Sequence, residues 1–295
     1  MYARGRLATI LFFILTGCML LICVVTWVSA LSWFNKPFAG FLVYKDSSVS
    51  ASGRRDWPGP QAGIKFRERI LSMNGQPISK GPDLVNMVRQ KSVGSEATYQ
   101  VKSEGKIREV VVPVARFGVS DFFNVFLVPF LVGFILYIIG FIVYFLKPNT
   151  SSSWAFLVLC FTLGTMILAG LENQTSYHLI LFFWAINTLY AFNFLHLFLI
   201  FPERKRILRK LPALEYLIYL PAVILIIAFQ IYFTVFQDIY SGGSWAWFPT
   251  YKELGSINRI CTLLCVAGMI ALMFHARFKA TTIQARQRAR VIFWG

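Results

Sequence analysis

Few residues of this chain have the side-chain types and the sequence spacing of a catalytic or metal-binding site. Cys261 and Cys265 lie four positions apart, so on a helix they would share one face and could hold a metal ion or form a redox pair. The other interpretation is that both are small packing residues of a membrane helix. His196 could sense a proton or a ligand, or it could form a hydrogen bond between packed helices, with Asn193 as its near neighbour.

Known catalytic motifs do not occur in the sequence. There is no H-E-x-x-H zinc motif, no G-x-x-x-x-G-K-[ST] phosphate loop and no G-x-S-x-G nucleophile turn. Glu172 lies between two apolar blocks, where it could face a ligand. We therefore expect no catalytic, metal or cofactor site in this chain, and a binding function becomes the leading hypothesis.

Apolar residues dominate the elements that would position these side chains. They form 57% of the chain, and charged residues form only 14%. Soluble domains contain about 45–50% apolar residues and about 25% charged residues. Six apolar blocks are near the length that crosses a bilayer, which is about 20 helical residues. The blocks cover approximately residues 7–33, 122–146, 154–171, 177–201, 214–236 and 257–274. The sequence thus predicts a membrane protein with an α-helical transmembrane bundle, and a further span starting near residue 291.

Basic residues between the blocks predict the orientation. With the N-terminus in the cytoplasm, the Lys- and Arg-rich short segments all lie inside, as membrane proteins require. Residues 35–117 then lie outside, although they hold 14 of the 29 basic residues, because long folded segments are exported regardless of charge. The predicted location is the bacterial inner membrane. The basic run at 204–210 would meet anionic lipid, and no nucleic-acid partner is expected.

The segment from 35 to 117 differs in character from the rest of the chain. Strand-like runs cover residues 40–44, 69–75, 97–103 and 107–114. A short helix is predicted within 78–91, with Pro82 near its start, and a hairpin turn at 103–106. The polar stretch 45–60 is expected to be mobile. These features predict a small α/β domain inserted between the first two spans.

One stretch of this segment resembles a known family. PDZ domains of the bacterial protease-associated type usually read A-G-L-x-x-G-D-x-I-L-x-V-N-G-x-P-V here. The matching residues, in register, are Ala62, Gly63, Ile64, Ile70, Leu71, Asn74, Gly75, Pro77 and Ile78. Arg67 and Glu68 replace the usual Gly-Asp, and a non-glycine residue takes a glycine backbone conformation only at a cost. The resemblance implies a PDZ-like domain over residues 35–117.

The PDZ resemblance also implies a peptide-binding groove between a strand and the helix. Its carboxylate-binding loop would consist of Phe38, Ala39, Gly40 and Phe41, and its wall would include Leu84 and Val88. Backbone N–H groups of the loop would bind the C-terminus of a peptide or protein at the extracytoplasmic face, while the peptide adds as a strand. The alternative is a PDZ-like fold that serves as a rigid spacer without a ligand.

The layout as a whole resembles the input half of multi-pass bacterial sensor proteins, in particular the competence-type quorum-sensing histidine kinases. The chain would divide into a first helix (1–34), the PDZ-like domain (35–117) and a multi-pass domain (118–295). The resemblance implies sensing of a peptide or envelope protein in a two-component system, with a histidine kinase beyond residue 295. A homodimer is compatible with this layout. The alternatives are a membrane adaptor or quality-control scaffold that recruits proteins through the groove, and a transporter.

Overall fold

The computed structural model describes residues 2–103, 105–148, 150–235 and 251–279, together with Gln287. Within these ranges six helical segments are long and apolar enough to cross a membrane, which confirms the predicted multi-pass helical architecture. The segments are Thr9–Trp33, Val119–Leu146, Ser151–Glu172, Ile180–Ile200, Leu214–Val235 and Glu253–Phe278. The further span predicted near residue 291 lies outside the described residues.

Helix α1 (Tyr2–Trp33) leads into a small sheet domain, residues 37–117, which we call the polar module. Its elements are β1 (Pro37–Phe38), α2 (Pro58–Gln61), β2 (Arg69–Met73), β3 (Gln76–Pro77), α3 (Gly81–Arg89), β4 (Glu96–Ser103), β5 (Lys106–Pro113) and β6 (Ala115–Arg116). Pro82 lies in the first turn of α3, where its missing N–H costs nothing. The side chain of Asp83 accepts the Lys80 N–H at 3.0 Å and so caps the helix.

The remaining elements are helical. They are α4 (Val119–Asp121), a π-helical segment (Phe122–Leu127), α5 (Val128–Leu146), α6 (Ser151–Glu172), α7 (Ile180–Ile200), α8 (Arg206–Lys210), α9 (Leu214–Leu217), α10 (Leu220–Val235) and α11 (Tyr251–Lys279). Helix α6 begins at an N-cap, because the Thr150 hydroxyl accepts the Ser153 N–H at 3.2 Å. Continuous apolar sequence between such breaks explains the long helices, since lipid requires backbone groups to be paired within each segment.

Four antiparallel strands of the polar module form a sheet in the order β3-β2-β4-β5, and β1 pairs separately with β6. Side chains of β4 alternate as predicted: Ala97, Tyr99 and Val101 are buried, whereas Lys102 is exposed. The predicted strand at 40–44 forms no regular ladder and makes only a bridge between Val43 and Val49.

Apolar side chains of the sheet and of α3 meet in the core of the polar module. Leu84 and Val88, four residues apart on α3, pack in one cluster with Ile70, Met73 and Tyr99. All five are at most 1% exposed. Full burial of each such side chain contributes about 1.5–3 kcal/mol, so this face of α3 fixes the helix beside the sheet.

Arg67 and Glu68 form a tight turn although they replace the Gly-Asp that is usual in PDZ domains. Arg67 adopts the left-handed conformation, with φ of 70°. The Glu68 side chain is buried and accepts the Lys65 N–H at 2.9 Å and the Arg108 guanidinium at 2.8 Å. Arg108 also donates to the Gly63 carbonyl at 2.7 Å. These bonds hold the turn although a non-glycine residue occupies it.

Replacing Arg67 by glycine is expected to stabilise the polar module by roughly 0.5–1 kcal/mol. The left-handed conformation costs a non-glycine residue about 1–2 kcal/mol, and the greater freedom of glycine in the unfolded chain offsets part of this gain. Amide hydrogen exchange in β2 of the full chain would measure the change. Lys102→Gly, in the extended β4, is the control and should accelerate exchange. Faster exchange in Arg67→Gly would contradict the assignment of strain to this turn.

By contact density the chain forms two compact units. The module unit comprises Gly17–Phe134 and Ile167–Phe183, and the helical unit comprises Met1–Thr16, Ile135–Met166 and Trp184–Gly295. Within the module unit a second apolar cluster joins the polar module to the adjoining ends of the membrane helices. Its buried members are Ala30, Trp33, Phe38, Leu42, Trp57, Phe117, Phe126 and Leu171.

The stretch 45–60 is anchored in this cluster, in contrast to the mobility expected from its sequence. Trp57 is buried, and its indole N–H donates to the Asp121 carboxylate at 2.7 Å. Arg54 lies 3.6 Å from the same carboxylate and also bonds Ser120. One aromatic side chain and one ion pair thus fix a stretch whose composition is typical of a loop.

Candidate functional site

The predicted site residues come together around one small cavity of the module unit. Phe38, Ala39, Phe41, Leu84 and Val88 all line this cavity and are all buried. The other lining residues are Trp33, Pro37, Val43, Val85 and Gln174. We call this site the groove.

Gly40 belongs to the same loop but does not line the cavity. Its φ of 76° is in the left-handed region that favours glycine. A Cβ atom at this position would lie 3.2 Å from two side-chain atoms of Pro58. The sharp bend at Gly40 therefore needs glycine for both conformation and space.

Three backbone N–H groups of the loop have no acceptor among the described residues. Within the part of the chain that the structure describes, the N–H groups of Ala39, Gly40 and Phe41 donate to no backbone or side-chain acceptor, while the Gly40 carbonyl accepts the Gly59 N–H at 3.1 Å. More than 90% of buried backbone N–H groups in proteins are paired. Three consecutive free donors are suited to a carboxylate, which is the ligand that the PDZ resemblance implies for this loop.

The membrane helices contribute two further polar groups that the sequence did not reveal. Trp33 ends α1, Gln174 follows α6, and both side chains are buried. The Trp33 indole N–H and the Gln174 side-chain carbonyl have no hydrogen-bond partner among the described residues. Gln174 is held by its amide nitrogen, which donates to Ser52 at 3.0 Å and to the Gly170 carbonyl at 2.7 Å. Nothing in their local sequence marks these residues, because only tertiary packing brings them to the groove.

Tyr177 occupies part of the strand edge that a bound peptide would use. Leu42 accepts the Ser50 N–H on one side of the segment, so the polar groups of Val43 face the other side. There the Tyr177 hydroxyl donates to the Val43 carbonyl at 3.0 Å. Burial raises the pKa of Tyr177, and Asp46 and Glu172 act in the same direction, so the hydroxyl stays protonated and keeps donating.

The groove is closed in this conformation. Its cavity has a volume of about 10 Å³, whereas sites for small ligands usually measure about 300–1,000 Å³. Trp33 and Gln174 line it from the side of the membrane helices, and the Tyr177 hydroxyl occupies the adjoining edge at Val43. A peptide could add to the edge at Val43 only if the Tyr177 bond breaks.

Glu172 positions the turn that carries Tyr177, and it does not face a ligand as its sequence position suggested. It is 1% exposed. One carboxylate oxygen accepts the His178 N–H, and the other accepts the Leu179 N–H at 3.0 Å, just before α7 begins at Ile180. Its backbone carbonyl accepts the Tyr177 N–H at 3.0 Å. Glu172 thereby holds the turn just before α7 and fixes Tyr177, whose φ is 62°.

A separate polar network lies within the helical unit. His196 Nδ1 lies 2.9 Å from the Tyr219 hydroxyl, and its Nε2 lies 3.2 Å from the Glu215 carboxylate, which also binds Arg204. The Tyr219 hydroxyl donates to Asn193 at 2.8 Å. Asn193 and His196 thus meet through Tyr219. This network provides the helix-packing hydrogen bonds that the sequence offered as one interpretation of His196.

Cys261 and Cys265 lie on α11 among apolar neighbours. Cys265 is buried in a cluster with Ala191, Phe192 and Ala222, and Cys261 packs against the same cluster. Both thiols are free. Among the described residues, no group of three or more His, Cys, Asp or Glu side chains is arranged to hold a metal ion.

Comparison with solved structures gives partial matches to proteases of the HtrA type. The protease AlgW, solved with a decapeptide, is 19% identical over 28% of this chain and 30% of its own length, with a TM-score of 0.26. A serine endoprotease from Yersinia pestis is 18% identical over 28% of this chain and 29% of its own, with a TM-score of 0.25. The aligned part is therefore less than a third of either protease. No protein-family model matches the sequence, and no curated protein does.

Proposed function

We propose that this chain is the sensor module of a membrane signalling protein, and that its polar module is a PDZ-like domain that binds the C-terminal segment of an envelope peptide or protein. The observation that carries the proposal is the composition of the groove. Trp33 at the end of α1 and Gln174 after α6 line it together with residues of the polar module. A ligand that enters must displace side chains attached to two membrane helices, so its binding can bias the arrangement of those helices.

The PDZ assignment, the position of the polar module and the output enzyme are each supported by a separate argument. The PDZ assignment is supported by the motif from Ala62 to Ile78 and by the free N–H groups of Ala39, Gly40 and Phe41. The extracytoplasmic position of the polar module is supported by the distribution of Lys and Arg. A histidine kinase as the output enzyme is supported by the resemblance in layout.

A membrane adaptor or quality-control scaffold is the alternative function. It would recruit proteins through the same groove, without a need for movement in the membrane helices. The hydrogen bond from Tyr177 to Val43 favours the sensor, because it makes opening of the groove depend on the turn between α6 and α7. The two functions therefore differ in what binding does to that turn.

Replacing Tyr177 by phenylalanine is expected to raise peptide affinity about fivefold, because an occluding hydrogen bond of about 1 kcal/mol is removed while the ring remains. The full chain in lipid nanodiscs would be titrated by fluorescence anisotropy with a decapeptide library randomised at the last four positions. Tyr216→Phe is the control, since Tyr216 is 79% exposed. Absence of saturable binding for every peptide, by wild type and by Tyr177→Phe, would reject a peptide-binding groove.

Hydrogen exchange separates the sensor from the scaffold. In the sensor, the tightest peptide of the library should accelerate exchange at the amides of His178 and Leu179, because displacement of Tyr177 loosens the turn that Glu172 holds. Amides of Tyr99 and Val110, in the β4–β5 ladder, should not change. Binding without faster exchange at 178–179 would support the scaffold.

A further inference from the structure

A second and much larger cavity lies within the helical unit. Its volume is about 510 Å³, which is within the usual range of ligand sites. The ends of α5, α6 and α7 and the connection between α5 and α6 line it, and one side is open. Most of its wall is apolar and consists of Val143, Phe156, Leu159, Phe194, Leu197, Phe198 and Phe201.

One end of this cavity is polar and carries a positive charge. Lys147, Thr150, Ser152 and Ser153 line it there. Lys147 is exposed, and no acidic side chain pairs with it in the described ranges. Ser153 donates to the Lys147 carbonyl at 2.6 Å, which occupies its hydroxyl, whereas the Ser152 hydroxyl has only a 3.5 Å contact with Thr150. A distance of 3.5 Å is longer than an effective hydrogen bond, so Lys147 and Ser152 remain available to a ligand.

The two ends of the cavity match the layers of a bilayer. Its polar end is the connection between two membrane-spanning segments, which end at Leu146 and begin at Ser151. That connection lies at the depth of the lipid headgroups, and the apolar wall extends from it into the hydrocarbon layer. A ligand that fits both ends therefore has an anionic headgroup and an apolar chain.

We propose that this cavity binds one acyl chain of an anionic phospholipid, with the phosphate at Lys147 and Ser152. A water-soluble anion would leave the apolar wall without an apolar partner. A neutral lipid would leave the positive charge of Lys147 without an anionic partner. This site is independent of the groove, because all of its residues belong to the helical unit.

Native mass spectrometry of the full chain, released from detergent with added phosphatidylglycerol, tests the headgroup contact. Lys147→Gln should weaken phosphatidylglycerol binding about fivefold, as expected from about 1 kcal/mol for one basic residue beside anionic lipid. Lys106→Gln removes the same charge from an exposed position on β5 of the polar module and should bind like the wild type. Phosphatidylcholine should bind several-fold more weakly than phosphatidylglycerol.

A second pair of variants tests the cavity itself. Val143 lines the cavity, so Val143→Phe should fill part of it and lower the bound fraction of phosphatidylglycerol several-fold. Ile142→Phe adds the same ring one position earlier, where the side chain is 51% exposed, and should have no effect. Equal binding by Val143→Phe and Ile142→Phe would overturn the proposal, as would equal binding of the two phospholipids or binding of oleate in preference to phosphatidylglycerol.

Discussion

Replacing Glu172 by alanine is expected to lower the free energy of unfolding of the module unit by about 3 kcal/mol. The change removes two charge-assisted hydrogen bonds, to the His178 and Leu179 N–H groups. Such bonds contribute about 1.5–3 kcal/mol each when the partner is left buried, and partial access of water to these two amides reduces the sum. The substitution also removes a negative charge near the N-terminus of α7, where such a charge interacts favourably with the helix dipole.

Thermal unfolding of the full chain in nanodiscs would measure this loss. A decrease of 3 kcal/mol in the free energy of unfolding corresponds to a fall of roughly 6–12 °C in the midpoint temperature for a protein of this size class. Glu172→Gln keeps one acceptor oxygen and should lose about half as much. Glu96→Ala removes a carboxylate from an exposed position of β4 and should change the midpoint little. A midpoint for Glu172→Ala close to that of Glu96→Ala would show that the carboxylate does not hold the turn.

The same substitution should also affect the groove. Glu172 positions Tyr177 through its backbone carbonyl and through the turn that it holds. Loosening of this turn should weaken the hydrogen bond between Tyr177 and Val43 and raise peptide affinity in the same direction as Tyr177→Phe. Reduced stability of Glu172→Ala together with its higher affinity for the peptide would link the turn at Glu172 to the groove.

Amidation of the peptide C-terminus is expected to weaken binding to the groove by about 10- to 100-fold. A free carboxylate would accept hydrogen bonds from the N–H groups of Ala39, Gly40 and Phe41, whereas an amide carries no charge. Hydrogen bonds to a charged group contribute about 1.5–3 kcal/mol, and each 1.4 kcal/mol corresponds to a factor of ten in affinity.

Isothermal titration calorimetry of the full chain with the tightest library peptide would measure this difference. The same peptide with an acetylated N-terminus is the matched control, since it also loses one charge but keeps the C-terminal carboxylate. Its affinity should stay within twofold of the parent peptide. General electrostatic attraction to a basic surface would instead respond to the loss of a positive charge with tighter binding. Tightening on acetylation that matches the weakening on amidation would therefore exclude a specific carboxylate site in the loop.

Much of the architecture is a direct consequence of local sequence. Apolar runs of sufficient length can only be membrane helices or buried helices, so the six segments follow from hydropathy. Alternation in β4 and the placement of Pro82 in α3 follow from side-chain periodicity and from the missing N–H of proline. The residues that the PDZ resemblance implied for the groove lie at 38–41 and at Leu84 and Val88, more than 40 positions apart, and the fold brings all but Gly40 to one cavity.

Other features could not be read from local sequence. The stretch 45–60 has a loop composition, yet Trp57 and Arg54 anchor it through Asp121, more than 60 positions later. Arg67 keeps a glycine conformation because Glu68 and Arg108 hold the turn around it. Partners so distant in sequence leave no periodic signal, because hydropathy patterns report only on neighbours within a few residues.

The membrane helices and the inserted polar module follow from the sequence alone, since each depends on contacts between near neighbours along the chain. The position of the candidate binding loop rests on the PDZ resemblance. The closed state of the groove, in contrast, follows from tertiary contacts. That outcome depends on Trp33 at the end of α1 and on Gln174 and Tyr177 in the connection between α6 and α7. Trp33 and Gln174 line the cavity, and Tyr177 bonds to Val43. Free energy from such contacts exists only once the chain is folded, so no local pattern encodes it.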